Sequence, residues 1–428
     1  MELTTLHKID TNERINFSAL LLIFSFPLLK FIISFFTEVN LLAFNIVYFF
    51  SVLLYLLPKC VLWFINCKNK KEQFIALKYR PELILLLLFL FWITFATFFS
   101  PNFSVAFLGI EDGKMFEEGL IQFFTYAAVF IFAYNLKTDK LKHLILKILI
   151  IISVICALFS YIDPFGEIFP AFYNTYPYSS VFVNSNHYGY FLCLTIMTSI
   201  GFSLFEKNIY QKIAFIVASI FLVVQLLLNG SFGPALAVFA ALIVLPFAYK
   251  IFKGKWSIFT VIPIATFLLL AGIINNHKFF SDLFLTIGQI FGIIRNESNV
   301  GSYGTGRIEL WLHSLHIIAQ NPIFGVGFGN FTMNGYTSRP HNEYLQYMVN
   351  TGILGGLFYI AALITIFVRA IQKRRETSDL SFILGGAIFC YLISAFFGNT
   401  MPHVMPFFTA LLAMFIKTIN PITKNKVA

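Results

Sequence analysis

Residues 304–356 read GTGRIELWLHSLHIIAQNPIFGVGFGNFTMNGYTSRPHNEYLQYMVNTGILGG, the longest stretch of the chain that suits an aqueous environment. This segment carries Arg307, Arg339 and His341 among several glycines, and it runs directly into an apolar stretch. Almost everything before and after it is strongly apolar. A basic, glycine-rich segment at a membrane surface calls for an anionic partner, so we look for the chemistry of the protein here.

The composition is that of an integral membrane protein. The chain has 428 residues, of which 58% are hydrophobic and 12% are charged. Soluble globular proteins carry about 25% charged residues. The five cysteines all lie inside or at the ends of apolar stretches, which predicts neither a disulfide framework nor a thiolate metal site.

About twelve stretches have the length and apolarity of transmembrane helices, since a span needs roughly 20 apolar residues. They lie near residues 15–36, 40–66, 83–99, 120–135, 143–162, 187–205, 213–229, 233–251, 257–275, 347–368, 380–397 and 405–417. No small-residue cleavage site follows the first stretch, which predicts an uncleaved span. We therefore predict an all-α polytopic fold, with one membrane domain over residues 1–428 and a large loop at 276–346 between the ninth and tenth spans.

The distribution of positive charge predicts the orientation of these spans. Lysine and arginine concentrate in cytoplasmic loops. With both termini cytoplasmic, only Lys114, Lys278, Arg295, Arg307 and Arg339 would face outward. The net charge of +10 is then a signal of topology, and we expect no nucleic-acid partner. The loop at 276–346 is predicted to lie on the outer face of the cytoplasmic membrane.

This loop divides into local elements. Residues 278–294 predict an amphipathic helix on the membrane surface. A second helix is predicted at 306–319, with Thr305 as its N-cap and Asn321-Pro322 as its end. Three alternating glycines at 325–329 predict a flexible or tightly turned connection, and without a βαβ context they are no nucleotide fingerprint. Pro340 is predicted to occupy the first turn of the next helix.

Two residues of the loop have side chains suited to transfer chemistry. Arg307 shares a predicted helix face with Trp311 and could clamp a phosphate through its planar guanidinium. Alternatively, the pair anchors the helix to lipid headgroups. His341 could take a proton from a sugar hydroxyl, because a nearby arginine and a helix N-terminus would keep its imidazole neutral. The alternative is a loop histidine bonded to the backbone.

A metal site is not favoured by the sequence. His313 and His316 have ligand spacing, but no convincing third ligand lies nearby. The candidate external carboxylates are scattered along the chain at Glu111, Asp112, Glu117, Glu118, Asp163, Glu309 and Glu343. We therefore expect chemistry without a metal or another cofactor.

Three motifs together resemble the O-antigen ligase and Wzy-type polysaccharide polymerase superfamily. They are GRIELW at 306–311 leading to NPIFGVG at 321–327, PHNEYL at 340–345 followed by GILG at 352–355, and VFVNSNH at 181–187. The predicted twelve-span layout also fits this superfamily and resembles the GT-C type of glycosyltransferase. The resemblance covers most of the chain.

The resemblance implies a substrate and roles for individual residues. The donor would be a saccharide on a polyprenyl pyrophosphate, transferred with inversion to a hydroxyl of a glycan or glycolipid acceptor in the membrane. His341 would be the catalytic base, and Arg307 would contact the pyrophosphate. Trp311, Asn342 and Asn186 lie in or beside the matching motifs and are assigned to substrate binding.

One feature departs from the superfamily. A further arginine that is often present near the start of the eighth span is absent from residues 228–234, LNGSFGP. Either Arg339, Arg295 or Lys114 supplies the missing charge, or the pyrophosphate is held by fewer cations.

Two alternatives stay open at this point. A Wzy-type polymerase would use the same motifs as a ligase. A secondary transporter or lipid flippase would place ionisable residues in mid-span. Lys30 and Lys147 are the only obvious charges of that kind, and both are interpreted as ordinary residues close to basic ends or neighbours.

Overall fold

The computed structural model describes residues 10–33, 46–48, 50–53, 55, 80–112, 115–169, 177–182, 184–274, 278–295, 306–331, 339–376 and 378–420. Within these ranges the chain is almost entirely helical. The helices are α1 Thr11–Phe24, α2 Phe26–Ile33, α3 Pro81–Phe98, α4 Phe103–Leu108, α5 Leu120–Tyr134, α6 Asp139–Ile162, α7 Ser185–Phe205, α8 Ile209–Asn229, α9 Phe232–Lys253, α10 Ile262–Ile274, α11 Lys278–Ile294, α12 Arg307–Gln320, α13 Glu343–Gln372, α14 Asp379–Ala395 and α15 Met405–Ile419.

One short hairpin interrupts this helical pattern. Strands β1 (Ile110–Asp112) and β2 (Met115–Glu117) pair antiparallel, with Ile110 opposite Glu117. Short 3₁₀ turns at Ser180–Phe182 and Ile258–Thr260 precede α7 and α10. The hairpin brings Glu117 and Glu118 to the start of α5, which matters for the site described below.

Six described helices are long and apolar enough to cross a membrane, namely α3, α6, α7, α8, α9 and α13. Two bent pairs could each add a span: α1 and α2 meet at 54°, and the segment Ile258–Ile274 meets Lys278–Gln289 at 103°. The shorter apolar helices are α5, α14 and α15. The chain is thus a multi-pass, all-α membrane protein. The count of twelve stays a prediction, and most of the stretch 40–66 lies outside the described residues.

Bilayer-facing and buried surfaces follow from the same apolar composition. On α3, Leu87, Phe91 and Phe98 are more than half exposed, as side chains that contact lipid are. In contrast, α7 is buried along almost its whole length, and it lies against α8 and α14. Because a helix that is apolar all round can be buried in either protein or lipid, only packing decides which one it meets.

The glycine turn at 325–329 docks on a break in α13. Gly325, Gly327 and Gly329 all have left-handed φ angles. The amides of Val326 and Gly327 donate to carbonyls of α13, each at 2.9 Å. The acceptors are free because Gly352 has φ 73° and interrupts the helix there. The predicted tight turn is therefore confirmed, and it fixes the end of α12 against α13.

Gly352→Ala is expected to destabilise the protein by at least about 1–3 kcal/mol, because it combines a left-handed φ with a clash. A Cβ at this position would overlap the carbonyl group of Ile323. Thermal melting of the purified protein in detergent measures the loss. Gly386→Ala is the matched control, since its Cβ would meet only Met197 at 3.8 Å. Equal melting temperatures for the two variants would refute this account of the break.

Candidate active site

His341 lies in the loop that leads into α13. Its backbone has φ 50°, in the left-handed region, and its amide donates to Oδ1 of Asn399 at 2.9 Å. The same Asn399 holds its Nδ2 3.4 Å from Nδ1 of His341. An amide nitrogen can only donate, so Nδ1 is the acceptor and carries the free lone pair of the ring. Asn399 thus fixes both the backbone and the tautomer of His341.

The helix boundaries around His341 differ from the prediction. Asn342 is the N-cap of α13, and its Oδ1 accepts from the amide of Leu345 at 3.1 Å. Pro340 therefore lies before the helix, whereas the sequence predicted it within the first turn. Likewise, α12 has Gly306 in a left-handed conformation at its N-cap, not Thr305. Glycine adopts this φ without steric penalty, which explains why the helix begins one residue later.

Two arginines act on His341 from different segments. Burial is the largest cause that lowers the pKa of His341, to about 4, and the charges of Arg307 and Arg339 lower it further. Arg307 opens α12, whereas Arg339 stands just before His341 and donates to the carbonyl of Thr400 at 3.3 Å. Both cations therefore lie within electrostatic range of one imidazole. The imidazole is neutral at pH 7.

Trp311 joins α12 to the histidine loop. Its Nε1 donates to the carbonyl of Pro340 at 2.9 Å, and its ring packs edge-on against Phe396 at 5.3 Å. This contact keeps Arg307, one turn earlier on α12, beside the residue that precedes His341. The structure therefore gives Trp311 a positioning contact in addition to the predicted shared face with Arg307.

The other predicted site residues are placed less centrally. Asn342 is buried, with its side-chain oxygen used for the cap of α13. Asn186 lies in the first turn of α7, where its amide donates to Oδ1 of Asn184. Arg295 is exposed at the end of α11, and among the described residues no interaction links it to His341. Lys114 lies outside the described residues.

Two acidic residues that the sequence suggested were scattered lie beside Arg339. Its charge acts on Glu117 and Glu118, and both are buried. Burial raises the pKa of Glu118 to about 7, although Arg339 and the hydroxyl of Thr400 oppose that rise. Thr400 donates to Glu118 at 3.0 Å. Two adjacent acidic residues before an apolar helix are unusual and could have marked a functional position in the sequence. However, no sequence pattern near them predicts that Arg339 is their electrostatic neighbour.

The segment after α14 contacts both the histidine loop and α13. The amide of Thr400 donates to Oε1 of Gln346 at 3.0 Å, which ties this segment to α13. In the first turn of α13, the carboxylate of Glu343 accepts from the hydroxyls of Tyr359 and Tyr391 at 2.6 and 3.0 Å. Glu343 is thus held inside the bundle and not offered to solvent.

The histidine pair of α12 has ordinary neighbours. His313 packs edge-on against Phe331, and Nε2 of His316 lies 2.9 Å from Nε2 of Gln320. Over the described ranges, no group of three or more His, Cys, Asp or Glu side chains is arranged to hold a metal ion.

Comparison with known proteins gives two matches. Residues 217–360 match the sequence profile of a family described as O-antigen ligase. A protein of Haemophilus influenzae, described as uncharacterized, is 25% identical over 236 residues, which cover 50% of this chain and 59% of that protein. The chain thus spans less than two thirds of the length of the curated relative. The family match contains Arg307, Arg339 and His341, whereas Glu118 and Asn399 lie outside it.

Proposed function

We propose that this chain, whose residues 217–360 match the O-antigen ligase family, transfers a saccharide from a polyprenyl diphosphate to an acceptor hydroxyl in surface polysaccharide biosynthesis. The transfer would take place at the outer face of the cytoplasmic membrane, with both termini inside. The observation that carries this proposal is the hydrogen bond from Trp311, one turn after Arg307, to the carbonyl of Pro340, which brings the helix of Arg307 to the loop of Arg339 and His341. This helix and this loop are separated in sequence.

The arginine pair suits the donor. Guanidinium groups bind phosphate through paired N–H donors, and such charge-assisted bonds are stronger than neutral ones. When the bond between the sugar and the diphosphate breaks, negative charge grows on the leaving group. Cations already fixed around that position stabilise the transition state more than the ground state. Arg339 fits this role, since its contacts with the carbonyl of Thr400 and the sulfur of Met401 limit where its guanidinium can point.

His341 suits the acceptor. A neutral imidazole can take the proton of an incoming hydroxyl as that oxygen bonds to the anomeric carbon. We assign Nδ1 as the accepting atom, because its contact with Nδ2 of Asn399 is long, at 3.4 Å, and a hydroxyl can replace it. The proton moves to Nδ1, the sugar–oxygen bond to the carrier breaks, and the diphosphate leaves on the arginines.

The pH dependence should reveal this arrangement. The base works only when neutral, so activity falls as the pH drops through the pKa of His341, which is about 4 before substrate binds. A bound diphosphate offsets the charge of Arg307 and Arg339 and thereby raises that pKa. We expect the acid limb of kcat, which reports the complex, at a higher pH than the limb of kcat/KM. Coincident limbs would contradict the coupling between the donor and the base.

A direct test uses the purified full chain with a polyprenyl diphosphate-linked saccharide and candidate acceptors. Release of free polyprenyl diphosphate together with a lengthened or newly attached glycan supports the proposal. Turnover absent with every lipid-linked saccharide tried, from protein that is folded, would count against it. The lipid-linked species that accumulate in cells without the gene separate the subclasses: single repeats indicate a polymerase, and long chains indicate a ligase.

Transport is less well supported by the charged residues in the spans. Lys147 lies 3.3 Å from Glu206 and 2.7 Å from Gln211, near the ends of α6, α7 and α8. It is therefore an ordinary paired residue, as expected. Lys30 is not of that kind.

A further inference from the structure

Helix α2 carries a lysine inside the apolar bundle. Lys30 is only 2% exposed, and its Nζ donates to the carbonyl of Val181 at 2.7 Å. Lys30 lies in the last turn of α2, and the sequence did not predict that it is buried there. A charge buried among apolar helices is costly, and such residues are retained where they pair with another group or serve function. Val181 lies in the short turn before α7, so the lysine points to the start of that helix.

The surroundings of Lys30 are polar and mostly buried. Phe26, one turn earlier on α2, stacks on the ring of His403 at 5.8 Å, and that ring lies 6.5 Å from the ring of His187. Burial, the charge of Lys30 and the neighbouring His187 hold the pKa of His403 well below its usual range. The two rings are therefore buried close to each other and near one ammonium. We call Lys30, His187 and His403 the Lys30 pocket.

This pocket adjoins the arginine site. Arg339 contacts the segment that leads to His403, because its Nη1 donates to the carbonyl of Thr400 at 3.3 Å and its Nη2 lies 3.5 Å from Sδ of Met401. His187 is 6% exposed, and within the described ranges its Nδ1 has no hydrogen-bond partner. A buried ring nitrogen without a partner lowers stability unless a ligand satisfies it. The VFVNSNH motif ends at this histidine, for which the motif alone predicts no role.

We propose that the Lys30 pocket binds the second phosphate group of the donor, while Arg307 and Arg339 bind the first. The inference rests on the proposed function. A diphosphate presents two anionic groups in series, and two cations lie near the segment 400–403. Arg339 contacts Thr400 and Met401, and Lys30 follows by one turn Phe26, which stacks on His403. Lys30 would supply the charge that is missing from residues 228–234, and the neutral His187 would donate one N–H bond from Nδ1. Of the cations proposed from sequence for that task, only Arg339 lies at the site among the described residues.

The test compares binding of polyprenyl diphosphate and polyprenyl monophosphate to the full chain in nanodiscs of neutral lipid. The native protein should prefer the diphosphate. Lys30→Met should weaken diphosphate binding about tenfold, the value of one lost charge-assisted bond, and leave monophosphate binding within about twofold. Lys147→Met is the control, because that lysine already pairs with Glu206, and it should keep the native preference.

Three outcomes would overturn the inference: an unchanged preference in Lys30→Met, an equal loss for both lipids, or the same loss in Lys147→Met. Should Lys30→Met fail to fold, His187→Phe retains the charge and removes only the ring nitrogens, so it should reduce the same preference. A native preference in that variant would equally overturn the inference. If the native protein bound neither lipid, the proposed function itself would fail. Failure of the proposed function can therefore be distinguished from failure of the inference about Lys30.

Discussion

His341→Ala is expected to lower glycosyl transfer by at least about a hundredfold, the usual range for loss of a general base. The hydroxyl would then have to attack while still protonated or with water as the acceptor. Because the amide of His341 supplies the bond to Asn399, alanine preserves that backbone contact, and the fold should remain intact. The measurement is the turnover of a lipid-linked saccharide by equal amounts of folded protein.

His316→Ala is the matched control. It lies on α12 near the same loop, but its ring is exposed and contacts Gln320, so its loss should leave turnover close to native. Binding of polyprenyl diphosphate by His341→Ala should also stay near the native value, since the arginines are untouched. Native turnover in His341→Ala would remove the base assignment, and the transport alternative would then be the first to examine.

Arg307→Lys is expected to lower the rate by about tenfold to a hundredfold, part of the loss found when a transition-state donor is removed. Lysine keeps the positive charge but cannot offer two parallel N–H bonds to a phosphate. The charge at the N-terminus of α12 is retained, so the electrostatic effect on His341 should persist. A loss in kcat that exceeds any rise in KM would identify a contact made chiefly in the transition state.

Arg295→Lys provides the comparison for this variant. Arg295 is exposed at the end of α11, outside the arginine site, and its replacement should change turnover less than about twofold. If Arg307→Lys and Arg295→Lys behaved alike, Arg307 would be an anchor to lipid headgroups, the alternative that the sequence had left open. A large loss only in Arg307→Lys supports phosphate binding.

The role of Asn399 shows how the site depends on packing. Asn399 stands 58 residues after His341, in the segment that follows α14. It fixes the ring and backbone of the histidine, and the neighbouring Thr400 contacts both Gln346 and Glu118. No local pattern around Asn399 distinguishes it from a polar residue at the end of a span. Its function is visible only when the segment after α14 lies against the start of α13.

The sequence by itself determined the class of this protein and its most reactive segment. Long apolar runs must be helical in a membrane, because a lipid-exposed backbone has to satisfy its own hydrogen bonds. The tight turn at 325–329 and the helix that carries Arg307 were also predictable, since glycine conformation, proline and helix periodicity are local properties. Arg307, Arg339 and His341 stood out because polar residues are rare in this chain.

Only the tertiary structure decided which distant residues join them. Glu118 arrives from the segment after the hairpin, Asn399 from the segment after α14, and Lys30 from α2, while among the described residues no interaction links Arg295 to His341. Burial of apolar surface drives helices together but has no direction, so it does not specify which faces meet. Charges and hydrogen bonds do have direction, and they act only after packing has brought Arg339, His187 and His341 within reach of one another.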